Sequence, residues 1–300
     1  MSAPAAGLVC IGDVMVDVLA RLPGPLAHGS DTPSRIALSP GGSSANTACW
    51  AAAAGMRVAM VGRVGDDQTG RAAVQSLVDA GVEPWLAVDA RLATGMCIVL
   101  IGPDGERTMI PDTGANAGLE AGDLPIDLLR AGTAIHVSAY TLLRPATRDV
   151  ALTAMRLARA AGASISVDAG SAAPLEQAPA GAVRSWLPDG TTLFANADEA
   201  AVLSGIGDAP GAARALADDG LMAVVKAGPD GVYACEPNSS LVRHCPAQPA
   251  QLVDSTGAGD AFAAGYLAAR LAGQALSVAL VAGAALAAQA LGSVGARPPR

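Results

Sequence analysis

Read for the spacing of its apolar side chains, the chain alternates short runs that are apolar throughout with longer alanine-rich stretches whose apolar positions recur every three to four residues. The first kind suits strands buried on both faces and the second suits helices. Strands are expected at residues 8–11, 58–61, 134–138, 164–168, 192–195 and 223–226. Helices are expected at 44–54, 70–80, 145–161, 198–204 and 211–218. Strand and helix in turn make βαβ units, so the fold class is α/β, with a mostly parallel sheet covered on both faces. No internal repeat, low-complexity linker or charge run divides the 300 residues.

Two stretches interrupt the alternation, at 18–40 and 94–111. The second holds Cys97-Ile98-Val99-Leu100-Ile101 and Arg107-Thr108-Met109-Ile110 around the turn Gly102-Pro103-Asp104-Gly105, a hairpin by its turn chemistry. The residues alone leave open whether it extends the main sheet or belongs to another. A third exception is 271–296, which carries no charged residue and is long enough to raise the question of a membrane span. Gln274, Ser277, Gln289 and Ser293 interrupt it, Gly273 divides it, and alanine supplies most of its apolar count, so two buried helices are expected instead.

Composition narrows the function. Apolar residues make up 51% of the chain, ample for a sizeable core, and the formal net charge is −8. Without a Lys/Arg run there is no footprint for nucleic acid, and no membrane partner is expected. Cys10, Cys49, Cys97, Cys235 and Cys245 are odd in number and lack CxxC spacing, while His28, His136 and His244 are scattered. Reduced thiols are expected, with neither a disulfide framework nor a zinc site. Residues 1–6 lack a basic n-region, so a cytoplasmic location is the expectation.

The densest chemistry lies in Asp254-Ser255-Thr256-Gly257-Ala258-Gly259-Asp260, running into an apolar, small-residue segment. Glycines let the backbone turn and approach a ligand, and a helix starting there presents unpaired amides and a positive dipole end to an anion. A carboxylate beside a bound phosphate would be repelled, so Asp260 needs a further purpose, such as taking a proton from a substrate hydroxyl. The plain alternative is a first-turn acid in a glycine-rich turn.

A second motif, Gly41-Gly42-Ser43-Ser44-Ala45-Asn46-Thr47-Ala48, precedes Val58 to Gly70. Together the two regions resemble the signatures of the PfkB, or ribokinase-like, family of sugar kinases, in matching order and separation. No GxxxxGK[ST], no GxGxxG after the first strand and no protein-kinase HRD or DFG element competes. The resemblance implies one three-layer α/β/α kinase domain over 1–300, with 18–40 and 94–111 forming a small β-sheet lid. It implies ATP and Mg²⁺ as cofactors, a hydroxymethyl group of a small sugar or nucleoside as acceptor, and a homodimer through the lid.

By the same resemblance, Asp17, Gly41, Gly42 and Asn46 contact the acceptor, where a carboxylate and exposed backbone suit a polyol. Asp13 reads as a solvated turn acid, and Asn46 also suits a helix cap. Asp260 is the base, and the amides of Gly257, Ala258 and Gly259 form the anion hole. Asn196-Ala197-Asp198-Glu199 matches the family's NxxE motif, with Asn196 near the phosphates and Glu199 near magnesium through water; a capping box is the alternative. Lys226, Gly228 and Gly231 match the nucleotide loop, with Lys226 either a phosphate contact or a solvated residue at a strand end. Thr256 lies near the ribose and adenine. Asp254 is expected on one side of a potassium site, whose other side would come from 295–299.

The match has gaps. Ser43-Ser44 replaces the Lys-Gly of ribokinases, and no acid near Ser138-Ala139-Tyr140 replaces their sugar-binding glutamate, so D-ribose is not implied. A kinase acting on a hydroxymethylpyrimidine or another vitamin precursor, or a non-catalytic sugar or nucleotide sensor, fits parts of the pattern.

Overall fold

The computed structural model describes residues 7–103, 107–179 and 181–299. Among them the strands are β1 Leu8–Ile11, β2 Met15–Arg21, β3 Arg35–Gly41, β4 Val58–Gly65, β5 Glu83–Asp89, β6 Gly95–Ile101, β7 Arg107–Asp112, β8 Ala134–Ser138, β9 Ser164–Asp168, β10 Thr192–Asn196, β11 Met222–Lys226, β12 Val232–Cys235 and β13 Val242–Cys245. The helices are α1 Ser43–Ala53, α2 Gln68–Asp79, α3 Ala139–Leu143, α4 Pro145–Ala160, α5 Ala172–Glu176, α6 Ala182–Trp186, α7 Ala197–Ser204, α8 Ala209–Asp218, α9 Ala258–Leu271 and α10 Leu276–Leu291.

A large sheet runs β13-β12-β11-β10-β9-β8-β1-β4-β5, parallel from β11 to β5 and antiparallel at β12 and β13. Each expected strand is one of its members. The sheet is wider than the apolar runs indicate, because β5, β12 and β13 lie at its margins. β5 and β13 are partly exposed edge strands that mix Glu83, Pro84 and Arg243 with apolar residues, and β12 is an apolar run of only four residues. One face packs on α3 to α8 through Ile135, Val137, Met155 and Leu216. The other packs on α1, α2, α9 and α10 through Met60, Trp50, Phe262 and Leu280.

A separate four-stranded sheet runs β3-β2-β6-β7. The β6–β7 hairpin pairs with β2, in register Val18↔Ile98 and Ile98↔Ile110, rather than extending the large sheet. Asp104 and Gly105 of its turn lie outside the described residues. One side buries Met15, Cys97, Val99 and Ile101. The opposite side exposes Ile36 at 68% and Leu38 at 71%, with Ile98 and Ile110 beside them.

The uncharged stretch after 270 holds one helix, the partly buried α10, which the turn at Gly273, at φ 75°, separates from the end of α9. Among the described residues no helix is long and apolar enough to cross a membrane. The pair packs backbone against backbone: a Cβ on Gly265 would stand 2.5 Å from the Ala282 carbonyl oxygen, and one on Gly283 would stand 2.9 Å from that of Phe262. Small residues are required where two helices approach this closely. Gly265→Val should therefore overpack the joint and cost about 1–3 kcal/mol of stability, read as a lower urea midpoint. An unchanged midpoint would mean the helices are not in contact there.

Candidate active site

In a parallel sheet the carboxyl ends of the strands share one edge, and here each central strand delivers a polar group to it. β1 runs into Asp13, β8 ends at Ser138, β9 at Asp168, β10 at Asn196 and β11 at Lys226. Two helices start above that edge, α1 after Gly42 and α9 after Gly257, and neither has a side chain capping its first turn. No side chain takes their first-turn amides, which can thus meet a ligand, the Ala258 amide making only a long bond of 3.4 Å to the Ser255 carbonyl oxygen. Gly257 is held at φ 76°, and a Cβ there would stand 2.3 Å from the Ala296 carbonyl oxygen, so both conformation and space demand glycine.

Asp260 joins the two helices. Its Oδ1 accepts a hydrogen bond from Ser43 Oγ at 2.8 Å and its Oδ2 one from Asn46 Nδ2 at 3.1 Å. Burial pushes the carboxyl up and Asp168 adds to the push; the two hydrogen bonds and Lys226 pull it back, leaving it at about 7. A group so poised can take up and return a proton near neutral pH.

Lys226 is not solvated. Its Nζ donates to Asp168 Oδ2 at 3.0 Å and lies over the first turn of α9, 3.0 Å from where a Cβ on Gly259 would stand. Burial alone would lower the ammonium, but Asp168 and Glu199 more than offset it, and the charge is held above its ordinary range. Asp168 is a site residue that the apolar pattern hides, because it is the last position of a strand and carries no motif.

Asn196 and Glu199 do form the capping box: Asn196 Oδ1 accepts from the Glu199 amide at 2.8 Å, and Glu199 accepts from the Asn196 amide and from Asn196 Nδ2, both at 2.8 Å. The same glutamate is buried, and burial together with Asp168 raises its carboxyl. Among the described residues no three His, Cys, Asp or Glu are grouped to hold a metal. Two buried carboxylates, Asp168 and Glu199, are still a fitting donor set for magnesium, which keeps water and phosphate oxygens as most of its ligands.

Among the residues expected to contact the acceptor, the Asp17 carboxylate lies against Gly41, where a Cβ would come within 2.3 Å of its Oδ1. Burial raises Asp17 to about 6, with Arg297 pulling it down. Gly42, at φ 92°, has the Asp13 carbonyl oxygen 2.2 Å from its Cβ position. Asp13 itself corrects the reading of a solvated acid. It is 4% exposed and pairs through both oxygens with Arg144, the Nη1 bond measuring 2.9 Å. The chain turns inward after β1, and its partner comes from the α3–α4 junction, too far along the sequence to be seen there.

Asp254 is occupied. Its Oδ1 accepts from the Thr256 amide at 2.8 Å and from Thr256 Oγ1 at 2.6 Å, its Oδ2 accepts from the Gly295 amide at 3.0 Å, and Arg107 of β7 pairs with it. Arg107 also donates to Ser255 Oγ at 2.9 Å, and its Nε is buried without a partner. These contacts tie the loop of Asp254 to the small sheet through Arg107 and to the segment after α10 through Gly295. In the loop after β11, expected near the nucleotide, Gly231 (φ 87°) would put a Cβ 2.2 Å from the Cys245 carbonyl oxygen, whereas Gly228 (φ 56°) has open space beside it.

The family model of pfkB carbohydrate kinases matches residues 5–300. A fructokinase of Klebsiella pneumoniae is 33% identical over 268 residues, covering 86% of this chain and 82% of that protein. An ATP-dependent ribose-1-phosphate kinase of Halopiger xanaduensis is 35% identical over 261 residues, covering 86% and 82%. Among solved structures, an adenosine kinase from Sinorhizobium meliloti superposes with a TM-score of 0.87 at 25% identity, over 99% of this chain and 97% of that one. A Vibrio cholerae fructokinase bound to fructose, ADP and calcium gives 0.79 at 25% identity, over 96% and 94%.

Proposed function

The chain belongs to the pfkB family of carbohydrate kinases, and from that premise we propose that it transfers the γ-phosphoryl group of ATP to a hydroxymethyl group of a small sugar or nucleoside, with Asp260 as the general base. The observation that carries this reading is the position of Asp260. It is bonded to Ser43 and Asn46 on the acceptor side and faces Lys226 and Asp168 on the other. Asp17, Gly41, Gly42 and Asn46 hold the acceptor's hydroxyls. Asp260 takes the hydroxyl proton as the oxygen attacks phosphorus and ADP departs. The amides of Gly257, Ala258 and Gly259, with Lys226 beside them, stabilise the charge on the group in transfer. Glu199 and Asp168 would hold a magnesium ion, which would supply neutralisation of the phosphate charge.

The small sheet acts as the lid, and Arg107 closes it onto the loop of Asp254 and Ser255. Closure keeps water from competing as acceptor. A free sugar is favoured over a nucleoside, because β2, β3, β6 and β7 carry no aromatic ring on which a base could stack. A sensor reading is disfavoured, since binding alone gains nothing from a carboxylate beside a phosphate. Buried, unpaired cysteines support a cytoplasmic setting.

Asp260→Asn tests the base. It keeps the side chain's size but cannot accept the proton, so kcat should fall by roughly 10²- to 10⁴-fold while ATP affinity holds or rises. In the wild type, activity should decline as pH drops below about 7, where Asp260 protonates. A variant retaining more than about a tenth of wild-type kcat would leave Asp260 as a helix-start acid. Excess EDTA should abolish turnover, and full activity in its presence would remove the role given to magnesium.

The exposed side of the lid supports a homodimer. Leu38, Val18, Ile98 and Ile110 line up across the sheet, an apolar face that a second copy of the same sheet would cover. Light scattering should show a dimer at micromolar concentration, converted to monomer by Leu38→Lys with Ile98→Lys. A monomeric wild type would count against it.

A further inference from the structure

The segment that follows α10 touches both halves of the site. The Gly295 amide donates to Asp254 on the anion-hole loop, and the Ala296 carbonyl accepts from Trp50 Nε1 at 3.0 Å, in the core of α1. Arg297 then reaches into the acceptor side. Its Nη2 donates to the Gly41 carbonyl at 3.2 Å, its Nη1 to Ser76 Oγ of α2 at 3.0 Å, and its Nε to Asn46 Oδ1 at 3.2 Å. The same Asn46 offers its Nδ2 to Asp260 at 3.1 Å. Arginine, amide and carboxylate thus stand in a line.

We propose that Arg297 is a positioning residue of the acceptor site, locking the Asn46 amide so that its nitrogen always faces Asp260. A guanidinium has only donors, so the amide atom turned toward it must be oxygen, which leaves the nitrogen for the carboxylate. The lock matters most after proton transfer. A protonated Asp260 is itself a donor, and a freely turning Asn46 would swing its oxygen round to accept that proton's hydrogen bond and hold the base in its spent form. With Arg297 in place the amide cannot turn, and the neutral acid is left without that support. Planarity and three anchors from β3, α1 and α2 give the arginine the rigidity this needs. The proposal rests on Asp260 being the base.

Arg297→Met keeps the apolar stem and removes the donors. The acid limb of kcat at saturating acceptor should then move up by about half to one pH unit, a loss of about 3- to 10-fold at pH 6 that shrinks at pH 9. Asp168 and Lys226, the charged groups facing Asp260 from β9 and β11, and the Cys10 thiol on β1, are untouched by the substitution. Asp17, which also feels Arg297, reads out separately as a raised acceptor KM. Arg297→Lys, which restores one donor, should recover part of the shift.

The decisive comparison is the double-mutant cycle. If Arg297 acts through Asn46, Arg297→Met in an Asn46→Ala background should move the acid limb no further. Additive shifts, or a wild-type limb in Arg297→Met, would overturn the proposal while an inactive Asp260→Asn left the base in place. An active Asp260→Asn would remove both together. Should Arg297→Met fail to fold, Ser76→Ala removes only the outer anchor of the guanidinium. It should shift the limb in the same direction by less, and no shift there would equally overturn the proposal.

Discussion

The site depends on holding Asp168, Glu199 and Asp260 in one small region with the single ammonium of Lys226 among them. Burial raises the carboxyls of Glu199 and Asp260, and the charge of Asp168 adds to it. Lys226 offsets it through Asp168, its hydrogen-bonded partner, and therefore lies over the first turn of α9 instead of extending into solvent. The crowding of charge is tolerable because the groups are anchored elsewhere. β9, β10 and β11 run through the middle of a parallel sheet packed on both faces, and α9 is fixed by its contact with α10. Local instability at a site and redundancy in its frame are two sides of one arrangement.

Glycine positions transmit that rigidity to the proposed anion hole. Gly265 and Gly283 let α9 lie directly on α10, and Gly257 lets the start of α9 lie directly on the backbone of Ala296. The amides of the first turn are thus set by close contacts between main chains, which do not rearrange the way side chains do. A hole built from peptide groups needs this kind of support, since its donors have to be in place before charge develops.

How much of this the sequence discloses depends on the range of each interaction. The parallel strands were legible because they are buried on both faces, and the motifs around Gly41 and Gly257 because turn and helix start are local. The Asn196 capping box was legible for the same reason. The small sheet was visible as a break in periodicity, but its separation from the main sheet depends on β2 pairing with β6, some eighty positions along. Long-range pairs were hidden altogether: Asp13 with Arg144, Lys226 with Asp168, Arg107 with Asp254, Arg297 with Asn46. Each joins a polar residue that looks ordinary in its own segment to a partner more than fifty residues away. Asp13 was misread for that reason, since a lone acid after a strand looks solvated until its arginine is known.

Those hidden pairs share a pattern that bears on how the site works. Arg107 comes from the small sheet and Arg297 from the segment after α10, yet both end on loops that carry the proposed chemistry, one at Asp254 and the other at Gly41 and Asn46. Neither arginine belongs to the large sheet that positions the acids. Acids at the edge of the large sheet and cations on segments of other origin make a site whose charge balance is completed only by tertiary structure: burial and Asp168 raise the Asp260 carboxyl, the hydrogen bonds from Ser43 and Asn46 lower it, and Arg297 bears on that balance through Asn46.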